Sequence, residues 1–323
     1  MKAAVLKQLG GTPIYSDFAE PVPQSDDQII LNVKAAALKN LDKIRAKGGH
    51  YASYRELPVV VGNDGVGTLS DGRKVYAQAL TGMMAEKALI AKDRFVVLPD
   101  GLDLSLAAAL PNAVIGSALA LHTRAKIKSG DVVLINGATG VTGQLAVQVA
   151  KHFGASKVIA TGRNKQALAK LKALGADEII ALGENEQSFI QTLKQIFKQH
   201  PLDIVIDYLW GHPTELIIDS LKVEGFNTSP HKVKIVTVGD MAGHSIALNS
   251  GILRSADIEI VGSGLGTFLP KELMEFNTKI LPEMFALAAE GKLKLETDNE
   301  RLQDIDKVWH KDPNGKRTVI IIE

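Results

Sequence analysis

The stretch "VVLINGATGVTGQLAVQVAKHFG", residues 132–154, constrains the fold more than any other part of this chain. A run of β-branched residues ends at Ile135, glycines follow at positions 137, 140 and 143, and an amphipathic pattern begins near Gln144. This order reads as a strand, a bare loop and a helix, with the loop Gly137-Ala138-Thr139-Gly140-Val141-Thr142-Gly143 at the helix N-terminus. Free backbone N–H groups and the positive end of the helix dipole face outward at such a place, so an anion belongs there. Glycine lets the main chain approach a pyrophosphate and lets the helix pack closely on its strand. Thr139 and Thr142 offer hydroxyl donors beside it. The pattern predicts dinucleotide binding, because the strand, loop and helix fall within a unit of about thirty residues.

The alternation continues beyond this unit. Short apolar runs at 132–135, 158–160, 178–180, 204–206, 233–238 and 258–261 read as buried strands. Between them lie helical patterns at 144–153, 165–174, 186–199 and 213–221, the second ending on Gly175 and the third before Pro201. Six strands alternating with helices predict a doubly wound parallel α/β sheet. The first part of the chain differs, with turn residues every eight to twelve positions, roughly the spacing of an antiparallel β domain. The tail returns to helix at 281–290 and closes on the strand "RTVIIIE". A chain of 323 residues exceeds one domain of about 150. We therefore expect a dinucleotide-binding domain at 113–267 and a discontinuous β-rich domain made of 1–112 and 268–323.

Composition narrows the partners. The 37 basic and 36 acidic residues nearly cancel, which argues against a nucleic-acid partner. The opening "MKAAVLKQLGG" is too short for a signal core, and no later apolar run is read as approaching the ~18 residues of a membrane span. A soluble, cytoplasmic protein without a membrane partner is the expectation. The chain has no cysteine, and none of its eight histidines pairs with another at i, i+2 or i, i+4. No metal site is expected from such a set.

The second strand decides between the two nicotinamide dinucleotides. Folds that choose NAD place an acid at its tip, about twenty residues past the glycines, to accept from the ribose 2′-hydroxyl. Here the tip reads Thr161-Gly162-Arg163-Asn164-Lys165, with two cations and no carboxylate. That set suits a 2′-phosphate and predicts NADPH.

A β-rich N-terminal half, a sheet domain and a returning tail together resemble the medium-chain dehydrogenase/reductase superfamily over nearly the whole chain. "VVVGNDGVG" at 59–67 looks like the G-x-D-x-x-G segment of its zinc-free members, "AAALPNAVIGSALALH" like their helix entering the cofactor domain, and "LDIVIDYLWG" like their fourth strand. Zinc-dependent members carry a cysteine and a Gly-His-Glu, where this chain has Gly62-Asn63-Asp64, so the likeness is to the NADPH:quinone oxidoreductase branch. The resemblance implies a six-stranded Rossmann domain plus a GroES-like, mainly antiparallel β catalytic domain. It implies that the nicotinamide lies in an interdomain cleft near Ser117, Val238, Gly239, Gly262 and Ser263, with substrate covered by Asn40, Asp42 and Tyr51. It also implies a homodimer formed through the sixth strand. The family's N-x-x-[DE] stretch appears here as Lys39-Asn40-Leu41-Asp42, with the asparagine moved by one place.

Without a metal to stabilise an alkoxide, acceptors that disperse negative charge are favoured, namely quinones and small conjugated carbonyls. A 2-enoyl or 2-alkenal reductase shares every one of these motifs, and a non-catalytic NADPH-binding sensor shares the fold.

Overall fold

The computed structural model of the chain describes residues 1–49, 53–183, 185–222, 231–312 and 314–323. They form two compact units, Met1–Pro111 with Asn277–Glu323, and Asn112–Phe276.

In the first unit, strands β1 (Lys2–Leu6), β2 (Ile14–Asp17) and β3 (Gln28–Ala37) precede helix α1 (Asn40–Lys47). Strands β4 (Val59–Val60), β5 (Asp64–Thr68), β6 (Lys74–Ala79) and β7 (Lys87–Val97) follow. A long helix then begins as α2 (Leu104–Val114) and continues with π-type winding over Ile115–Ala125 into the second unit.

The second unit alternates β8 (Val132–Asn136), α3 (Val141–His152), β9 (Lys157–Gly162), α4 (Lys165–Leu171), β10 (Glu178–Ala181), α5 (Glu186–Gln199), β11 (Ile204–Asp207), α6 (Gly211–Ser220), β12 (Val233–Thr237), α7 (Ser250–Ser255) and β13 (Ile258–Gly262). Helices α8 (Pro270–Glu275), α9 (Leu281–Ala289) and α10 (Ile305–Val308) come next, with strand β14 (Thr297–Arg301) before α10 and β15 (Arg317–Ile321) after it.

The second unit is the doubly wound sheet. Its six strands are parallel in the order β10-β9-β8-β11-β12-β13. β8 and β11 are buried at every residue, as strands covered on both faces must be. The core beneath them joins Leu134, Ile159, Leu193, Val205, Ile217 and Ile235. Helix α5 lies where its sequence pattern puts it: Asn185 caps it by accepting from Ser188 N at 2.9 Å, and Phe189 and Leu193, one turn apart, are its buried face. β13 is an edge strand, half-buried along its length, whose Glu259 pairs with Lys232 at 2.8 Å.

The first unit holds two sheets. β1 runs antiparallel between β2 and β4. The larger sheet has the order β14-β15-β3-β5-β6-β7, and an added β3–β7 pairing closes part of it into a small barrel. Leu31, Met83, Met84, Ile90, Trp309 and Ile320 are among the residues that fill its core.

Several sequence expectations need correction. The N-terminal β domain also carries a helix, α1, that the sequence reading did not place. The closing strand β15 pairs antiparallel with β3 but parallel with β14, a strand whose polar sequence "TDNER" carries no apolar alternation. Helix α3 starts at Val141 rather than Gln144, which puts Gly143 inside its first turn. The segment Leu104–Ala125 is, after all, long and apolar enough by length and composition to cross a membrane, and 72% of its apolar window is buried within the protein. Pro111 and the polar Asn112 and Ser117 break the run to the eye, but the apolar residues around them keep its mean hydropathy at 1.7.

Candidate functional site

The order of the parallel sheet locates its crevice. From β8 the chain moves outward through β9 and β10, then returns to the other side of β8 to form β11. The reversal therefore falls between β8 and β11, and ligands of such sheets bind outside the carboxyl ends of the strands at that point. Asn136 ends β8, Asp207 ends β11, and the two are register partners.

The glycine loop leaves β8 at this place. Gly137 has φ +85°, and a Cβ there would meet the Leu209 side chain at 2.8 Å. Gly140 has φ −77° and ψ 165°, is exposed, and has open space where a Cβ would stand. Gly143 is buried, with its hypothetical Cβ 2.6 Å from Ala138 Cα, so its helix sits directly on the loop backbone. Gln144 N reaches Gly140 O at 2.9 Å in the first full helical bond, which leaves the amides of Val141, Thr142 and Gly143 ahead of it. The first two loop amides point the other way. Gly137 N donates to Thr161 Oγ1 at 3.2 Å and Ala138 N to Thr161 O at 2.8 Å. The outward donors of the loop are thus confined to its later part. The methyl groups of Thr139 and Thr142 pack close to Gly162 and Gly116, respectively.

At the tip of β9, Gly162 is buried and Arg163 is exposed without an ion-pair partner among the described residues. Asn164 caps α4, accepting from Ala167 N at 3.0 Å, and Lys165 is the first helical residue. Ser117 is fully buried in the π-wound segment and donates its hydroxyl to Ala113 O at 2.6 Å. The adjoining Gly116 O accepts from the hydroxyl of the half-buried Tyr208 at 2.6 Å, and desolvation pushes that phenol's pKa far upward. Val238 N and Gly239 N both donate to Asp207 O, at 2.8 and 3.2 Å. Gly239 must be bare, because a Cβ would stand 2.8 Å from Tyr208 O. Gly262 O accepts from Arg124 Nε at 2.8 Å. Ser263 is 8% exposed, and its hydroxyl has no partner among the described residues.

A polar chain that sequence reasoning missed runs beneath these residues. Asp207, fully buried, accepts on Oδ1 from Asn136 Nδ2 at 2.9 Å, Leu209 N at 3.0 Å and Trp210 N at 3.1 Å, and on Oδ2 from Thr214 Oγ1 at 2.6 Å. Thr161 Oγ1 donates to Asn136 Oδ1 at 2.7 Å. The one available signal was a polar residue at the end of each apolar run, in "VVLIN" and "IVID".

The first unit contains a second cluster. Asp42 is fully buried. It accepts from Lys39 N at 2.9 Å and Asn63 N at 3.1 Å, with the Lys39 ammonium 3.9 Å away. This ties the start of α1 to the turn before β5. Burial pushes the Asp42 carboxyl above the ordinary aspartate range, and the Lys39 charge opposes the shift. The Lys39 ammonium forms a buried ion pair with Asp64, which also accepts from the Tyr76 hydroxyl at 2.8 Å. Burial, with the Asp64 carboxylate adding to it, raises the Tyr76 phenol well above its usual value. Arg45 lies 4.5 Å over the Tyr54 ring, whose phenol burial pushes up to about 12. Asn40 is exposed at the first position of α1. Tyr51 lies outside the described residues. Among the described residues no three His, Asp or Glu side chains gather as a metal site would require.

A doubly wound six-stranded sheet with a glycine loop and a helix N-terminus at its reversal defines a Rossmann dinucleotide fold, joined in this chain to a closed, mainly antiparallel sheet built from both chain ends. Known proteins agree. A family model described as "Zinc-binding dehydrogenase" matches residues 141–280. A protein of Emericella nidulans named "Probable NADPH-dependent quinone reductase" is 27% identical, with 96% of each chain covered. The "NADPH-dependent alkenal/one oxidoreductase, chloroplastic" of Arabidopsis thaliana is 34% identical over 51% of this chain and 48% of its own. The solved quinone oxidoreductase of Thermus thermophilus, whose structures include a complex with NADPH, superimposes with a TM-score of 0.76 over the full length of both chains at 25% identity. These likenesses support the medium-chain dehydrogenase/reductase superfamily and, within it, the quinone oxidoreductase branch.

Proposed function

We propose that this chain is an NADPH-dependent oxidoreductase that passes hydride to a quinone or a small conjugated carbonyl. The observation that carries the reading is the loop at the sheet's reversal, which aims helix amides outward at Gly140 while the next strand is followed by Arg163, exposed and without an ion-pair partner among the described residues, and by no acid. The residues fit the cofactor. Space stands open above Gly140, where a side chain would block a pyrophosphate, and the buried Ser263 hydroxyl has no hydrogen-bond partner among the described residues. The amides of Thr139 through Gly143 would hold the diphosphate, and Arg163, with Lys165 and Asn164 beside it, the 2′-phosphate. Ser117, Val238, Gly239, Gly262 and Ser263 would line the nicotinamide.

NADPH, when bound, supplies a hydride to an electron-poor acceptor. The chain's own share is orientation and the exclusion of water. Its Ser117 hydroxyl already donates to Ala113 O, so toward a ligand it can act only as an acceptor. On the substrate side we assign Asn40 and the Tyr51 hydroxyl to contact, and Asp42 to positioning, since its oxygens are bound to backbone amides. The lack of cysteine, together with the lack of a cluster of metal donors among the described residues, supports acceptors that delocalise charge themselves. The names of the Emericella and Arabidopsis relatives support the quinone and enone classes respectively.

The test is NADPH oxidation by the pure protein with quinones, 2-alkenals, enoyl thioesters and unconjugated ketones. Turnover is expected with the conjugated acceptors alone. Arg163→Asp should weaken NADPH by about 10- to 100-fold, the loss of one charge-assisted contact of about 1.5–3 kcal/mol, while NADH is spared. Ketones reduced as fast as quinones, or an Arg163→Asp variant with unchanged preference, would overturn the proposal. Tight binding of NADPH without turnover of any acceptor would make the chain a sensor.

We further propose a homodimer formed through β13. The strand is an edge left half-buried, and the segments before and after it expose Leu253, Leu265, Leu269 and Met274. Light scattering should report twice the chain mass at micromolar concentration, and a monomer there excludes the interface.

A further inference from the structure

We propose that Asp207 is a positioning residue of the dinucleotide site, setting the glycine loop through Asn136 and Thr161. The inference rests on the dinucleotide reading above and adds to it the device that holds the loop in shape. A carboxylate that takes four donors acts as an acceptor only, so Asn136 must turn its NH₂ toward Asp207 Oδ1. The amide oxygen of Asn136 is then left facing Thr161, whose hydroxyl hydrogen it accepts at 2.7 Å. With its hydrogen committed, Thr161 Oγ1 has a lone pair for Gly137 N at 3.2 Å. Each bond permits one direction only, so the buried carboxylate at one end orients the loop amide at the other. Gly137 and Ala138 are held inward by Thr161, and the loop turns its later amides toward the crevice.

The same residue grips the opposite wall. Its main-chain carbonyl accepts from Val238 N and Gly239 N, its Oδ1 from the two amides that lead into α6, and its Oδ2 from Thr214 on that helix. Asp207 therefore joins the loop after β8, the turn after β12 and the start of α6 at the point where the sheet reverses. A buried network in which every polar group is satisfied is stiff, because any displacement leaves a donor or acceptor without a partner. Such stiffness is what a preformed anion cradle requires.

Thr161→Val keeps the shape of the side chain and removes the hydroxyl, while Thr161→Ser keeps the hydroxyl. Dissociation constants for NADPH and NADH are read by fluorescence titration well below the melting temperature of each variant. For Thr161→Val both constants should rise by about tenfold and by the same factor, the equivalent of one orphaned amide, because the diphosphate is common to the two ligands. Thr161→Ser should bind both within about twofold of the parent, since the hydroxyl bond is restored. Asp207→Asn, which exchanges one acceptor for a donor, should weaken both ligands as well; if it fails to fold, the Thr161 pair decides. A lowered melting temperature with unchanged dissociation constants in Thr161→Val, or a serine variant as weak as the valine one, overturns the inference. A parent protein that binds neither dinucleotide sinks the proposed function and this inference together, whereas a parent that binds beside an unaffected Thr161→Val sinks this inference alone.

Discussion

Lys39→Met should lower the unfolding free energy by about 3–5 kcal/mol, the usual cost of removing one member of a buried ion pair. The side chains of Lys39 and Asp64 are only 2% and 5% exposed. Methionine matches the length of the lysine stem but leaves the Asp64 carboxylate with the Tyr76 hydroxyl and without its cation. The double variant Lys39→Met/Asp64→Leu removes both charges and should recover much of the loss, since buried pairs replaced together by apolar groups are often near neutral. The deficit should also depend on pH with a definite sign. Burial already raises Asp42 and the Lys39 charge opposes that shift, so losing Lys39 raises it further. A carboxyl whose folded pKa lies above its unfolded value binds protons more tightly in the folded state. The stability of the variant relative to the parent should therefore improve as pH falls from neutral toward the carboxylate range. Denaturant unfolding at several pH values reads all of this, and a single-variant loss below about 1 kcal/mol would show that the pair is solvated in solution.

The second large effect separates two glycines of one loop. Gly143→Ala should cost about 1–3 kcal/mol in stability and abolish measurable dinucleotide binding, because its new Cβ meets backbone atoms that cannot rotate away. Those atoms are Ala138 Cα at 2.6 Å, Gly137 O at 2.7 Å and Ala138 C at 2.8 Å. Gly140→Ala should leave the melting temperature near that of the parent, since nothing lies within 4 Å of the added carbon and φ is −77°. Its affinity for NADPH should nevertheless fall by about tenfold or more, because the methyl enters the space assigned to the diphosphate. A Gly140→Ala variant that binds like the parent would mean that the diphosphate does not cross this loop. A Gly143→Ala variant of parental stability would mean that α3 can lift from the loop.

The second unit was the more readable of the two. Its strands were recognisable because a parallel strand covered on both faces leaves an unbroken apolar run, as in "VVLI" and "IVI", and the bounds of α5 emerged from its helical pattern and the proline that follows it. Five of the six strands proved longer than expected at their carboxyl ends, while β12 stopped one residue short at Thr237. Asn136, Thr161, Gly162 and Asp207 all extend the ladder past the last apolar residue, and polar residues at those places look like loop until a partner strand is known. β14 was invisible for the same reason, being paired along one side while its side chains alternate little in polarity. In the first unit Lys39 was passed over for its neighbour Asn40, because a lysine beside a helix start reads as a solvated cation until Asp64, 25 residues away, is found against it.

Periodicity, glycine spacing and the missing acid after β9 were local properties, and they alone determined the doubly wound class, the anion-ready helix terminus and the expectation of NADPH. Strand order was not local. It brought Asn136 and Asp207 side by side across 71 residues, turned the Gly137 and Ala138 amides inward, and closed the first unit's sheet through β3 and β7. Such pairings decide which buried polar groups face one another, because a hydrogen bond reaches about 3 Å while the chain between its partners is free to run anywhere. The helix and strand patterns survive in any topology, but the direction of the Asp207–Asn136–Thr161 chain, and with it the aim of the loop, exists only once the strands are in place.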